Sequence, residues 1–185
     1  MTQEIIIAGF GGQGVLSMGM VLCYSGMIED KEVSWMPSYG PEMRGGTANC
    51  ITIVSDTKVS SPIISKFDTV IALNQPSLDK FESGVKVGGT LLYDSTNIIN
   101  PPTRTDIEVY GIDATKEAAN MDNPKMLNMI MLGAFLQKKP ILKFENILEG
   151  LKQVLPERYH HLLPLNEKAL RKGMELIEAV SKTTA

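Results

Sequence analysis

Two glycine-rich segments carry the residue types with chemical potential in this sequence. The first, Gly9-Phe10-Gly11-Gly12-Gln13-Gly14, has the spacing G-x-G-x-x-G. Glycines at that spacing permit positive φ and a close approach of backbone to a phosphate. A helix that starts there offers free N–H groups and a partial positive charge to an anion. Gly11, Gly12, Gln13 and Gly14 are therefore candidates for contact with an anion. The other reading is that the glycines serve only to pack the helix tightly on the strand before it. The second segment, Tyr39-Gly40-Pro41-Glu42-Met43-Arg44-Gly45-Gly46, sets a Tyr, a Glu and an Arg among three glycines and a proline. Arg44 can fork onto a carboxylate or phosphate. It can equally pair with Glu42 to fix the loop, and the whole segment can serve as a subunit contact. Tyr39, Gly40, Pro41, Glu42, Arg44, Gly45 and Gly46 are candidates for an interface or active-site loop.

Several familiar sites are excluded or disfavoured, while a stand-alone nucleotide-binding oxidoreductase or sensor using the Gly-rich loop stays open as the alternative. No Lys-Ser or Lys-Thr follows Gly14, so the first segment is not a P-loop. An NAD site expects an acidic residue about 20 residues on, at the end of the second strand. Here that strand ends in Pro37-Ser38, and Asp30 and Glu32 precede it. The chain has 2 Cys, too few to ligate an iron–sulfur cluster with four thiolates. It has 2 His, adjacent at His160-His161, which leaves little for a catalytic zinc and no Ser/His/Asp set. Cys23 and Cys50, on an apolar helix and a strand, read as buried structural thiols. No catalytic residue and no metal site is expected. Redox chemistry would need a bound organic cofactor or another chain.

The elements that must position these segments follow from periodicity. Glu4 to Gly9, with its β-branched run Ile5-Ile6-Ile7, reads as a buried central strand. Val15 to Ile28 is apolar almost all round and reads as a helix covered by the sheet and a partner. Val33 to Ser38 is a second strand, and Thr47 to Ser55 a strong third. Ser55-Asp56-Thr57 predicts a turn into Lys58 to Ser61 and hence a β-hairpin, which makes the sheet mixed. Asp68 to Asn74 is another buried strand, and Gln75-Pro76 opens a helix through Glu82. Gly88-Gly89 predicts a turn into a strand at Thr90 to Asp94. Glu108 to Ile112 is a last, weak strand. Asn123 reads as an N-cap with Pro124 at the first helical position, for a helix to Gln137 that is apolar on every face. Phe144 to Val154 is amphipathic. Asn166 to Lys182 is a helix with a charged outer face. Strand, Gly-rich turn, helix, strand predicts an α/β fold. The expected form is a three-layer α/β/α domain over 1–185, with a mixed, mainly parallel sheet, a Rossmann-like N-terminal βαβ and a helical C-terminal third.

Composition bounds the setting. The 185 residues, 43% hydrophobic and 21% charged, suit one globular domain of ordinary size. A net charge of -3 argues against a nucleic-acid partner, which usually meets a basic stripe. No apolar run reaches the ~20 residues of a membrane span, and the N-terminus has no basic n-region. A cytoplasmic protein without membrane contact is expected.

The two glycine segments in this order resemble the gamma subunit of 2-oxoacid:ferredoxin (acceptor) oxidoreductases. The likeness rests on Ile6 to Leu16 (I-I-A-G-F-G-G-Q-G-V-L) and Tyr39 to Gly46 (Y-G-P-E-M-R-G-G). It continues through Ser61-Pro62, Phe67 to Asn74 (F-D-T-V-I-A-L-N), Gly88 to Asp94 (G-G-T-L-L-Y-D) and the helix from Asn123. The C-terminal helices are less distinctive. The resemblance implies an enzyme that oxidatively decarboxylates a 2-oxoacid, attaches the acyl group to coenzyme A and passes electrons to ferredoxin. It implies alpha, beta and ferredoxin-like delta chains as partners. Thiamine diphosphate with Mg, iron–sulfur clusters and coenzyme A would serve the holoenzyme, and this chain alone would bind no complete cofactor. The run Met36 to Gly46 looks nearer the 2-oxoglutarate and ketoisovalerate types than the pyruvate type. An isolated chain would be inactive, with an apolar partner surface through which it could form a homo-oligomer.

Overall fold

The computed structural model describes residues 1–39 and 47–183. Six strands form one sheet: β1 (Thr2–Phe10), β2 (Glu32–Tyr39), β3 (Thr47–Ser55), β4 (Phe67–Ala72), β5 (Val85–Asp94) and β6 (Glu108–Ile112). Six α-helices accompany them: α1 (Val15–Ile28), α2 (Gln75–Phe81), α3 (Ala114–Asn120), α4 (Leu127–Lys138), α5 (Phe144–Val154) and α6 (Leu163–Thr183). The strand order is β2-β3-β1-β4-β5-β6. β1, β4, β5 and β6 pair in parallel, while β3 is antiparallel to both β1 and β2. β2 therefore runs with β1, and β3 alone is reversed. The expected mixed, mainly parallel α/β sheet is what forms.

β1 is central because its side chains suit burial on both faces. Ile5 and Ile7 enter one core with Cys50, Val54, Ile71 and Leu92, while Ile6 enters the other with Val70, Ala72 and Leu91. Helices stand on both faces, but unequally. α1, α3, α4, α5 and α6 all contribute to the first core, and α2 contributes Leu78 and Phe81 to the second. Every residue from Met129 to Leu136 of α4 is buried, as its all-round apolarity requires. Two glycines let α4 and α6 touch backbone to backbone. A Cβ on Gly133 would stand 1.9 Å from the Leu170 carbonyl oxygen, and one on Gly173 would stand 1.8 Å from that of Ile130.

Three local expectations are corrected. Lys58 to Ser61 form no strand. β3 has β2 on one edge and β1 on the other, so neither edge is free to receive them. The sheet is mixed because β3 itself is reversed. Gly88-Gly89 do not precede a strand but lie inside β5, where Gly88 takes φ +74 and the pairing with β4 shifts register, the mark of a bulge. α3, at Ala114–Asn120, had no expectation. The C-terminal helix begins three residues before the expected Asn166, at Leu163.

Candidate functional site

The C-terminal edge of the parallel strands is where α/β sheets of this kind hold ligands. β1 reaches it at Phe10, and residues 11 to 14 turn the chain into α1. Gly12 has φ 95 and Gly14 φ 75, values that favour glycine. The motif's glycines differ in purpose. Gly12 looks onto open space, so its need is conformational alone. At Gly14 a Cβ would also meet the Asn128 side chain at 2.2 Å, and at Gly9 it would meet Gln13 Oε1 at 2.7 Å. The packing reading therefore accounts for Gly9 and for part of Gly14. Gly11 and Gly12 are exposed at the edge. Gly14 is the N-cap of α1, and the first turn of that helix has no side-chain cap hydrogen bond.

Gln13 does not project from this turn. The Phe10 N–H donates to its Oε1 at 2.6 Å, and the Asn74 amide donates to the same oxygen at 3.3 Å. Its Nε2 donates to the Leu73 carbonyl at 3.3 Å. Asn74 ends the run after β4 and caps α2, its Oδ1 accepting the Ser77 N–H at 2.9 Å. Asn128 of α4 donates to the Gly14 carbonyl at 3.5 Å. Asn74 and Asn128 were not foreseen as parts of the site. Asn74 carried a signal, an Asn directly before Gln-Pro at a strand end. Asn128 is the one polar side chain in the otherwise apolar run from Met126 to Leu136.

Gly40 to Gly46 lie outside the described residues, and with them Pro41, Glu42, Arg44 and Gly45. Their flanks are placed. Tyr39 closes β2 opposite Ala48, and Thr47 opens β3 opposite Phe10. The first glycine-rich segment thus leaves β1, and the second returns into β3, at the same sheet edge on neighbouring strands about 4.8 Å apart. Further along the edge, Asp94 is 2% exposed and is used internally. It accepts from the backbone N–H groups of Thr96 at 3.3 Å and Thr115 at 3.2 Å, and from the Thr115 hydroxyl.

The remaining candidates stay apart from this edge. Cys23 donates to the Ser34 carbonyl and Cys50 to the Val15 carbonyl. Burial pushes the Cys23 thiol up to about 12 and the Cys50 thiol up to about 11, so both are protonated and unreactive. His160 sets Nε2 against the carbonyls of Leu155 at 2.9 Å and Lys152 at 3.1 Å, which satisfies the end of α5. Among the described residues, no three His, Cys, Asp or Glu side chains gather as a metal site. No helix there is long and apolar enough to cross a membrane.

A mostly parallel sheet whose first strand passes through a glycine turn into an uncapped helix defines a Rossmann-like α/β protein. In this one, β3 is inserted between β1 and β2. The chain belongs to the pyruvate ferredoxin/flavodoxin oxidoreductase family, whose model matches residues 4–176. It is 43% identical over 133 residues to ketoisovalerate oxidoreductase subunit VorA of Methanothermobacter thermautotrophicus, covering 72% of this chain but 28% of that one. It is 31% identical over 160 residues to 2-oxoglutarate synthase subunit KorC of Methanocaldococcus jannaschii, covering 85% of this chain and 86% of that subunit. The structure matches the gamma subunit of a keto/oxoacid ferredoxin oxidoreductase from Geobacter sulfurreducens with a TM-score of 0.81 at 28% identity. That match covers 96% of this chain and 99% of the other.

Proposed function

We propose that this chain, as one gamma-type domain over residues 1–185, serves a multi-subunit 2-oxoacid:ferredoxin oxidoreductase. The complex would decarboxylate a 2-oxoacid, form the acyl-CoA and reduce ferredoxin in the cytoplasm. The observation that carries this reading is the near end-to-end match to the Geobacter sulfurreducens gamma subunit. The VorA relative, of which the chain spans 28%, supports the same reading, because there the domain forms part of a longer subunit. The identities to chains named for ketoisovalerate and 2-oxoglutarate favour those substrate types.

In this reading alpha, beta and ferredoxin-like delta chains supply the thiamine diphosphate, magnesium and iron–sulfur chemistry. This chain's two thiols, both buried, do not fit a four-thiolate cluster. Its edge does fit a phosphate of coenzyme A, which supplies the acyl-accepting thiol when bound. The uncapped first turn of α1 presents N–H groups, and the open side of Gly12 admits an anion. Gly11 to Gly14 would meet that group or a partner's backbone, and Tyr39 to Gly46 would close one wall of the active site or coenzyme A channel. Arg44 would orient Glu42 or an anionic group of the substrate.

A free-standing dinucleotide enzyme is the competing reading, and the topology disfavours it. The strand beside β1 on that side is the reversed β3, not β2, and β2 ends in Pro37-Ser38-Tyr39 without the ribose-binding acid. Arg44→Ala in the reconstituted complex tests the proposal. Weakened coenzyme A binding, slowed turnover or impaired assembly is expected. All three unchanged would overturn the role given to the segment.

A further inference from the structure

We infer that Gln13 is a positioning residue, held in place by Asn74, that fixes the β1–α1 turn in the shape in which its backbone meets an anion. The inference rests on the reading of that turn as a coenzyme A contact. It assigns the polar contact there to main chain and not to the Gln13 side chain.

The orientation of the Gln13 amide is determined from behind. Asn74 has its Oδ1 committed to the Ser77 N–H at 2.9 Å, so its Nδ2 must face Gln13. A donor at that point requires the Gln13 oxygen opposite it. That oxygen then accepts the Phe10 N–H at 2.6 Å, and the Gln13 nitrogen falls to the Leu73 carbonyl at 3.3 Å. Reversing the amide would set an NH2 group against two donors and a carbonyl oxygen against another. The turn is closed further by the Gln13 N–H donating to the Phe10 carbonyl at 3.2 Å. Gly9 completes the arrangement, since a Cβ there would stand 2.7 Å from Gln13 Oε1 and expel the amide. One spacing in the motif is thereby explained: Gly9 makes the room that the side chain four residues on occupies. Asn74 is 6% exposed and has both ends of its amide engaged, by Gln13 and by the Ser77 N–H, so it acts through Gln13 and the α2 cap.

Asn74→Asp separates the two roles, because it keeps an oxygen for the Ser77 N–H and removes the donor to Gln13. Gln13→Ala removes all three side-chain bonds. Amide exchange at Phe10 would be measured in the full chain, and KM for coenzyme A and kcat in the assembled complex. Each variant is expected to speed Phe10 exchange about tenfold, the equivalent of one ordinary hydrogen bond. Each should raise KM for coenzyme A by a similar factor with kcat nearly unchanged. The double variant should match Gln13→Ala alone. The inference is overturned if Gln13→Ala raises KM while Asn74→Asp moves neither readout, since Gln13 then contacts the ligand through its remaining Nε2 hydrogen. It is also overturned if Asn74→Asp speeds exchange uniformly across the chain, the sign of general destabilisation. Gly12→Ala distinguishes the two claims. If it leaves KM for coenzyme A unchanged, the ligand reading of the turn fails, and the Phe10 exchange result still decides the brace.

Discussion

Phe10, the last residue of β1, is the register partner of Thr47, the first residue of β3. This pairing brings the flank of one glycine-rich segment beside the turn formed by the other, although the two are far apart in the chain. It exists because β3 runs antiparallel into the space beside β1 that a dinucleotide-binding sheet gives to its second strand. The reversed strand thus brings the end of β1 and the flank of the second glycine-rich segment to one edge.

The glycines of the turn should differ in cost. Gly12→Ala meets open space and should lose about 1 kcal/mol to its positive φ. Gly14→Ala adds a collision with Asn128 to the same strain and should cost more. Urea midpoints at unchanged m-value measure both, and truncation by Asn128→Ala should narrow the difference.

The α4–α6 contact should tolerate no side chain at its crossing. Gly133→Ala and Gly173→Ala each drive a methyl into a backbone carbonyl, which no rotamer relieves. Each should cost about 3 kcal/mol, the upper range for overpacking. Equilibrium unfolding measures it, and a cost under half that would show that the helices separate easily.

The two thiols should be silent in the folded chain. At pH 8 a disulfide reagent should titrate neither Cys23 nor Cys50, and should titrate both after unfolding. Burial raises both thiols from the ordinary value of 9.0 to about 12 and about 11. A raised folded value favours the protonated form in the native state. The associated stability is therefore fully present below pH 9 and is lost as pH rises through 11 to 12. Cys50→Ser and Cys23→Ser should flatten that alkaline decline in a thermal-melting series.

Asp56 should contribute to stability in the opposite sense. Lys31 and the N-terminal ammonium, each at 2.6 Å, hold its carboxyl down at about 2. Its contribution is present above the ordinary carboxylate value and fades as pH falls toward 2. The group is exposed, so the effect is small. Melting temperatures of the parent chain and Asp56→Asn should differ slightly at pH 7 and converge near pH 2.

Much of this fold is legible because its elements declare their period. The Ile5-Ile6-Ile7 run, the all-round apolarity of Met126 to Leu136 and the amphipathic Phe144 to Val154 each point to one structure. Strand order is not written in any local pattern. It depends on pairings such as Thr2 with Ser55, which only the assembled chain makes. The same gap misleads at Lys58 to Ser61, where a local hairpin looked natural until β2 and β1 occupied both edges of β3. α3 escapes notice because it gives the core only the small side chains of Ala114 and Ala118. At the site the glycines are visible by type, while the partners that give them purpose, Asn74 and Asn128, come from 61 and 114 residues away.

The central claim is tested most directly by capturing the tagged chain with its assembly from native cells and assaying the eluate. The account predicts an assembly containing thiamine diphosphate and iron–sulfur clusters that reduces ferredoxin in the presence of coenzyme A and 2-oxoglutarate or a branched-chain 2-oxoacid. A chain that emerges alone, shows no such activity and binds NAD or FAD with micromolar affinity in calorimetry would contradict it.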